Sequence, residues 1–111
     1  MENPGRVAER RNFARKKRRF LVEFKVKGTQ CTGFTYDISP MSMFVRSVRL
    51  PDLGAILTAN VHLPQDKRVE VIGKVIRSIR VPGSLSRLLP SGFSIQLSEA
   101  PEDYAQFVEA L

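Results

Sequence analysis

The chain has 111 residues, 42% of them hydrophobic, and a formal net charge of +7. This length supports one small domain with a single core, and the apolar content excludes a disordered chain. No apolar run approaches the roughly 20 residues of a membrane-spanning helix, and no apolar segment follows the N-terminal charges as in a secretory signal. The single cysteine, Cys31, excludes an internal disulfide and is interpreted as a small strand residue. We expect a cytoplasmic protein without membrane insertion.

Positive charge is concentrated at the N-terminus. Residues 1–19 carry eight basic and two acidic side chains, a net +6, whereas residues 20–111 carry +1. The basic residues are Arg6, Arg10, Arg11, Arg15, Lys16, Lys17, Arg18 and Arg19. This composition predicts a flexible basic arm over 1–19 and a nearly neutral domain over 20–111. Such an arm attracts an anion, and the charge alone leaves open whether that anion is a nucleic acid, an acidic protein or a nucleotide.

Alternation of apolar and polar residues predicts six short strands, at 20–27, 31–39, 43–46, 56–63, 69–81 and 92–97. Gly73 marks an expected bulge or bend within the fifth strand. A helical spacing follows at Tyr104, Phe107, Val108 and Leu111. Short antiparallel strands followed by one helix predict an all-β barrel or sandwich with a C-terminal helix.

The second strand and the turn after it hold a specific polar pattern. A period of two divides this strand between an apolar inner face and a polar outer face. The inner face is expected to hold Phe34, Tyr36 and Ile38. The outer face is expected to hold Thr35, Asp37 and Ser39. A carboxylate and a hydroxyl are therefore expected side by side next to the turn.

Few residues could carry catalysis. His62 is the single histidine and is expected as an exposed residue on a polar strand face. One histidine and one cysteine are too few for a zinc site, and no glycine-rich loop precedes a helix. A nucleophile with an acid/base partner is hard to find. We therefore expect a binding module that has no enzymatic activity, no metal and no resident cofactor.

Arginines recur at intervals of four in the basic segment, for example at Arg11 and Arg15. Arginine forms forked hydrogen bonds to phosphates and to the O6/N7 edge of guanine, and it stacks on flat bases. The spacing alone is also compatible with a solvated basic tail.

Residues 9–15 read E-R-R-N-F-A-R and residues 37–42 read D-I-S-P-M-S, with an alternating strand between them. These segments resemble the R-x-x-x-R and D-x-S-x-x-G motifs of the PilZ domain family, bacterial receptors for cyclic di-GMP. Arg11 and Arg15 match the first motif, and Asp37 and Ser39 match the second. The last strand and the acidic start of the helix also look like those of the family. The resemblance covers roughly residues 9–111 and implies a six-stranded antiparallel β-barrel with a C-terminal α-helix.

The resemblance implies that cyclic di-GMP, which has two phosphates and two guanines, binds at these motifs. Arg10, Arg11 and Arg15 would contact phosphates and guanine edges, while Asp37 and Ser39 would hold a guanine. Binding would order the arm over the barrel, and the signal would pass to a protein target. The family serves motility, polysaccharide export and other outputs, and the sequence leaves the output and the oligomeric state open.

Ser42 stands where the family motif has glycine. Glycine would allow a positive φ, whereas serine in a left-handed conformation costs roughly 1 kcal/mol. Ser42 is therefore expected at the ligand site with a weakening effect, and a clash of its Cβ with guanine would abolish binding. Met41, Met43 and Phe44 are either core residues or a soft apolar contact for a protein partner.

Three functions remain open. The first is a receptor and adaptor that binds cyclic di-GMP. The second is a degenerate PilZ adaptor that acts only by protein contact, which Ser42 favours. The third is a nucleic-acid-binding barrel with a basic arm. The expected inward positions of Phe20, Phe24, Phe34 and Phe93 disfavour the third, so specific nucleic-acid binding is not expected.

Overall fold

A computed structural model of the protein describes residues 14–85 and 91–111. The predictions for residues 1–13, which include Arg10 and Arg11, lie outside the described residues. The elements of the described part are, in chain order, β1 Leu21–Val26, β2 Thr29–Ser39, β3 Ser42–Arg46, β4 Ile56–Leu63, β5 Lys67–Ile79, β6 Gly92–Glu99 and α1 Glu102–Glu109. A 3-10 turn, Gly83–Leu85, follows β5.

The strands form a closed antiparallel barrel in the order β1-β2-β3-β6-β5-β4. The predicted six-stranded antiparallel barrel with a C-terminal helix is confirmed. In β4 the alternation is complete, because Leu57, Ala59, Val61 and Leu63 are buried and the residues between them are not. Burial of a large apolar side chain stabilises the fold by about 1.5–3 kcal/mol. The largest fully buried side chains are Tyr104, Phe24, Phe93, Ile38, Met43 and Ile95.

A β-bulge at Tyr36 changes the phase of β2. The register with β3 skips this residue between Thr35 and Asp37. Before the bulge Thr35 is buried and Phe34 is 37% exposed, and after it Ile38 is buried. The predicted inward position of Phe34 and outward position of Thr35 are therefore wrong, because one extra residue moves the following side chains to the opposite face.

The segment before β1 lies along β2. Lys16 N–H donates to Ile38 O at 2.8 Å, and Ile38 N–H donates to Lys16 O at 2.9 Å. The buried hydroxyl of Thr35 donates to Arg18 O at 2.7 Å and accepts from Phe20 N–H at 2.8 Å. Residues 16–20 are thus attached to the barrel. The predicted flexible arm over 1–19, including its boundary at residue 19, stays a prediction, since most of it lies outside the described residues.

Gly28 and Gly73 occupy backbone positions that favour glycine. Lys27 and Gly28 form the β1–β2 turn with φ of 51° and 80°, which suits the two central positions of a tight hairpin turn. At Gly73 the pairing of β5 with β6 shifts register, as the sequence predicted. A Cβ added to Gly73 would lie 2.5 Å from Gln96 O, so the neighbouring main chain approaches closely there.

The helix α1 packs its predicted apolar stripe against the barrel. Tyr104 and Val108 are buried, and the Phe107 ring meets Phe20 edge-on with centroids 5.6 Å apart. At the first turn of α1, the hydrogen bond from Lys67 lowers the pKa of Asp103. Within residues 14–85 and 91–111, no helix is long and apolar enough to cross a membrane.

Candidate functional site

The side chain of Arg15 joins residues from both expected motifs. Its Nε and Nη2 donate to Oδ1 of Asp37 at 3.0 and 2.6 Å, and its Nη1 donates to Oγ of Ser42 at 2.6 Å. The Arg15 side chain is 43% exposed and that of Asp37 is 18% exposed. Charge-assisted hydrogen bonds are short and roughly twice as strong as neutral ones. The guanidinium is therefore held at the surface beside the β2–β3 turn, and we name these three residues the arginine cluster.

The isolated bridge between Lys16 and Ile38 sets this geometry. In an antiparallel pair, the residues that flank a bridge share one face and reach each other along diagonals. Arg15 and Asp37 flank the bridge and both side chains turn to the surface. The motif spacing alone could not place them together, because the contact joins residues 22 positions apart.

Ser39 is buried at 1% exposure and does not share an open face with Asp37. Its Oγ accepts from the N–H groups of Met41 and Ser42 at 3.3 and 3.1 Å. The two serine hydroxyls lie 3.0 Å apart. A hydroxyl that bonds to nearby main chain stabilises a tight turn. Ser39 thus positions Ser42, and its direct contact with a ligand stays a prediction.

Ser42 begins β3 with ordinary strand geometry. In the described ranges, the non-glycine residues with positive φ are Lys27, Gln65 and Asp66. The left-handed strain expected at Ser42 is therefore wrong. The turn closes through the Ser39 hydroxyl and does not need a left-handed residue.

Tyr104 attaches the helix to the same turn. Its hydroxyl donates to Ser39 O at 2.9 Å, and its side chain is fully buried. Burial raises the pKa of Tyr104 above its ordinary value, and the positive charge of Arg15 opposes that rise. The helical stripe predicted Tyr104 as a core residue. The sequence carried no signal for this hydrogen bond, because its acceptor is a main-chain carbonyl 65 residues away.

A basic hollow of about 250 Å³ lies between β2, the end of β3 and the segment before β1; its lining is Lys17, Arg18, Arg19, Thr35, Tyr36 and Arg46. Lys17 Nζ and Arg46 Cζ lie 5.4 and 5.9 Å from the centroid of the Tyr36 ring. The attraction between a cation and the face of an aromatic ring contributes about 0.5–1 kcal/mol at exposed sites. The basic side chains of this hollow have no ion pair with any carboxylate in the described parts of the chain. They leave a positive surface on the two strands that also carry Asp37 and Ser42.

Sequence reasoning missed Tyr36 and Arg46 as candidate site residues. It assigned Tyr36 to the core, whereas the bulge leaves this ring half-buried on the outside. The available signal was the run of basic residues before β1, which an antiparallel neighbour of β2 would bring alongside that ring.

Comparisons with known proteins identify the family and support the fold. The model of the PilZ domain family matches residues 9–111, nearly the whole chain. The chain belongs to the PilZ domain family. It is similar in structure to the Bacillus subtilis inhibitor of motility, MotI/DgrA, with a TM-score of 0.72 and 16% sequence identity over 88% of this chain and 47% of that one. This identity supports the fold alone, and the chain spans about half the length of that protein. No curated protein matches the chain.

The two PilZ motifs thus meet through one arginine. Arg15, the second arginine of R-x-x-x-R, contacts the first and last positions of D-I-S-P-M-S. Contributions from Arg10 and Arg11 stay predictions, because both lie outside the described residues.

Other residues of this PilZ domain that the sequence singled out have structural partners. His62 Nε2 lies 2.8 Å from Glu23 Oε1, and both side chains are about one-third exposed. Met43 is buried in the core, and Phe44 is buried with its ring edge-on to Tyr36 at 6.1 Å between centroids. Met41 is 41% exposed. Of these three apolar residues, Met41 alone is available to a partner.

Proposed function

We propose that this PilZ domain is a cytoplasmic receptor for cyclic di-GMP that relays the signal to a protein partner and performs no catalysis. The contact of Arg15 with Asp37 at 2.6 Å carries this proposal. It brings one matched residue of each binding motif to the same surface. Cyclic di-GMP is the ligand that PilZ domains generally receive.

Oδ2 of Asp37 is an acceptor that a guanine could use. Both bonds from Arg15 reach Oδ1, and no hydrogen bond from residues 14–85 or 91–111 reaches Oδ2. A carboxylate oxygen accepts well from N–H groups such as those on the Watson–Crick edge of guanine. This oxygen supports the assignment of Asp37 to guanine recognition.

The basic hollow supports the placement of phosphates and of a second ring. Arg18, Arg19 and Arg46 line it together with Tyr36. Guanidinium groups bind phosphates in a forked geometry and stack on bases. Arg10 and Arg11 would close over the ligand as the arm becomes ordered, which is a disorder-to-order switch.

Isothermal titration calorimetry with cyclic di-GMP tests this function. The wild-type chain is expected to release heat at tens of micromolar ligand. Arg15→Ala and Asp37→Ala are each expected to weaken binding by about 10–100-fold, the loss of one charge-assisted contact. Arg68→Ala and Asp52→Ala change exposed residues of the same types away from the cluster and serve as matched controls. A folded wild-type chain that gives no heat, or controls that lose as much, would contradict the proposal.

A second candidate is a PilZ adaptor that does not bind cyclic di-GMP. The Ser42 hydroxyl favours it, because this group engages Arg15 at 2.6 Å where the family motif has no side chain. The adaptor predicts no calorimetric signal and an unchanged output in Arg15→Ala. Motility is the first output to measure, since the structural neighbour is an inhibitor of motility.

A further inference from the structure

The seam between β1 and β4 is the least complete junction of the barrel. Its register holds two pairs, Val22 with Val61 and Glu23 with Asn60. By contrast, β4 pairs with β5 along its whole length. Beyond Glu23 and Asn60, residues 24–26 of β1 and 56–58 of β4 have no register partner across this seam. Open strand edges of this kind are templates for an added strand.

An exposed aliphatic side chain, Ile56, lines a hollow at this opening. A hollow of about 390 Å³ lies between the two strands, with Lys25, Ile56 and Thr58 in its lining. Ile56 is 67% exposed, Leu53 is 69% exposed and Ile76 is 49% exposed. We name residues 24–26 and 56–58, with Leu53 and Ile76, the seam face.

The loop before β4 brings the aliphatic residues together. Gly54 N–H donates to Val75 O at 2.7 Å, and Val75 N–H donates to Ala55 O at 2.9 Å. These bonds hold the loop alongside β5, so that Leu53 and Ile56 lie on the same side of the barrel as Ile76. The aliphatic side chains therefore form a strip at the surface.

The border of the seam face is positively charged. Lys25 lines the hollow, Lys74 pairs with Ile56 across β4 and β5, and Arg77 follows Ile76 in β5. None of these three cations has an ion pair within the described parts of the chain. The seam face thus combines apolar side chains, open main-chain groups and unbalanced positive charge.

We infer that the seam face binds an extended segment of a partner protein whose side chains are aliphatic and acidic. The segment adds as a strand along the open edge, and its main chain satisfies the unpaired groups. Its aliphatic side chains cover Leu53 and Ile56, and its carboxylates approach Lys25 and Lys74. A second copy of this chain is a poorer occupant, because it brings like charges together. The inference rests on the proposed function only for the existence of a protein partner.

Selection from a phage-displayed library of random 12-residue peptides tests the inference, with the full chain as bait and no nucleotide added. Enriched sequences are expected to combine aliphatic with acidic residues. When an enriched peptide is titrated into ¹⁵N-labelled protein, amide signals at 24–26 and 56–58 are expected to shift, and their hydrogen exchange is expected to slow. The Lys25→Glu/Lys74→Glu variant is expected to bind the peptide at least about tenfold more weakly. Arg68→Glu, on the distal part of β5, is the matched control and is expected to bind within about twofold of wild type.

Any one of the following results would overturn the inference. The library yields no enriched sequence or one without acidic residues, the shifts map to the arginine cluster instead of the seam, or the two charge variants bind alike. A concentration-dependent dimer with its interface at the seam would also overturn it, by assigning the face to a second copy.

Calorimetry with cyclic di-GMP separates this inference from the proposed receptor function. The Lys25→Glu/Lys74→Glu variant is expected to keep the nucleotide affinity of wild type, since it leaves β2 and β3 unchanged. If the wild-type chain selects acidic peptides at the seam but gives no heat with cyclic di-GMP, the proposed receptor function fails and the inference about the seam face stands. If the wild-type chain binds the nucleotide but selects no peptide, the inference about the seam face fails and the proposed receptor function stands.

Discussion

Nη1 of Arg15 lies 2.6 Å from Oγ of Ser42, so the residue that replaces the motif glycine holds an arginine of the other motif. Asp37 accepts from Nε and Nη2, which gives each of the three guanidinium nitrogens a partner. These bonds use three of the five N–H groups of the guanidinium, so a phosphate or guanine that takes any of those three has to replace a bond. The departure from glycine therefore acts through a hydrogen bond, and backbone strain has no part in it.

Ser42→Gly is expected to tighten cyclic di-GMP binding by about fivefold, because it removes a hydrogen bond that contributes about 1 kcal/mol. Calorimetric titration measures the change. Ser42→Ala is the control that removes the hydroxyl and keeps the Cβ, and it is expected to give a similar gain. A gain confined to Ser42→Gly would show that the Cβ, and not the hydroxyl, opposes the ligand. Unchanged binding in both variants would contradict the prediction.

The Arg15–Asp37 ion pair is expected to contribute little to stability. A double-mutant cycle of Arg15→Ala and Asp37→Ala, measured by urea unfolding, is expected to give a coupling of about 0.2–1 kcal/mol, because the arginine is 43% exposed and solvent screens the pair. The coupling is expected to fall in 1 M salt. A coupling above about 2 kcal/mol would show that the cluster is a structural element instead of a surface poised for a ligand.

Tyr104→Phe is expected to lower the free energy of unfolding by about 1–2 kcal/mol at neutral pH, since Ser39 O loses its donor inside the protein. The variant keeps the ring and therefore its packing against the barrel. Urea unfolding at pH 7 measures the loss, and Tyr36→Phe, which has no such bond to the turn, is the control. An unchanged free energy of unfolding would mean that water or another donor satisfies this carbonyl.

The same tyrosine predicts a dependence on alkaline pH. Burial raises the pKa of Tyr104 in the folded chain, whereas in the unfolded chain it ionises near pH 10. The folded state therefore retains a proton that the unfolded state loses above pH 10. This contribution is complete below pH 10 and falls by about 1.4 kcal/mol per pH unit above it. Denaturant unfolding between pH 8 and 11.5 is expected to show a steeper decline for wild type than for Tyr104→Phe, and parallel declines would refute the coupling.

Gly73→Ala is expected to destabilise the barrel by about 1–3 kcal/mol. The new Cβ would lie 2.5 Å from a main-chain oxygen, Gln96 O, which cannot rotate away as a flexible side chain could. Gly83→Ala is the matched control, because a Cβ there meets no atom within 4 Å. Thermal unfolding of the two variants distinguishes them, and equal melting temperatures would contradict the close approach of β5 and β6.

The local pattern of the chain was enough to predict the strands and the C-terminal helix, and the family resemblance selected a barrel over a sandwich. The alternation in β4 and the helical stripe through Tyr104 and Val108 correspond to the buried faces. Both patterns depend only on the side-chain period of a strand or a helix, which any stretch of sequence displays by itself. The motif residues Arg15 and Asp37 were likewise recognisable from residue type and order.

Tertiary structure alone decided which faces and partners these residues have. The bulge at Tyr36 turned Phe34 outward and Thr35 inward, because one unpaired residue reverses a period of two, and only the register with β3 reveals it. The contact of Arg15 with Ser42 and that of Tyr104 with Ser39 O join residues 27 and 65 positions apart. Residues so far apart in the sequence come into contact only when the barrel forms. The sequence by itself therefore determined the strands, the helix and the chemistry of the motifs, whereas closure of the barrel decided which groups meet.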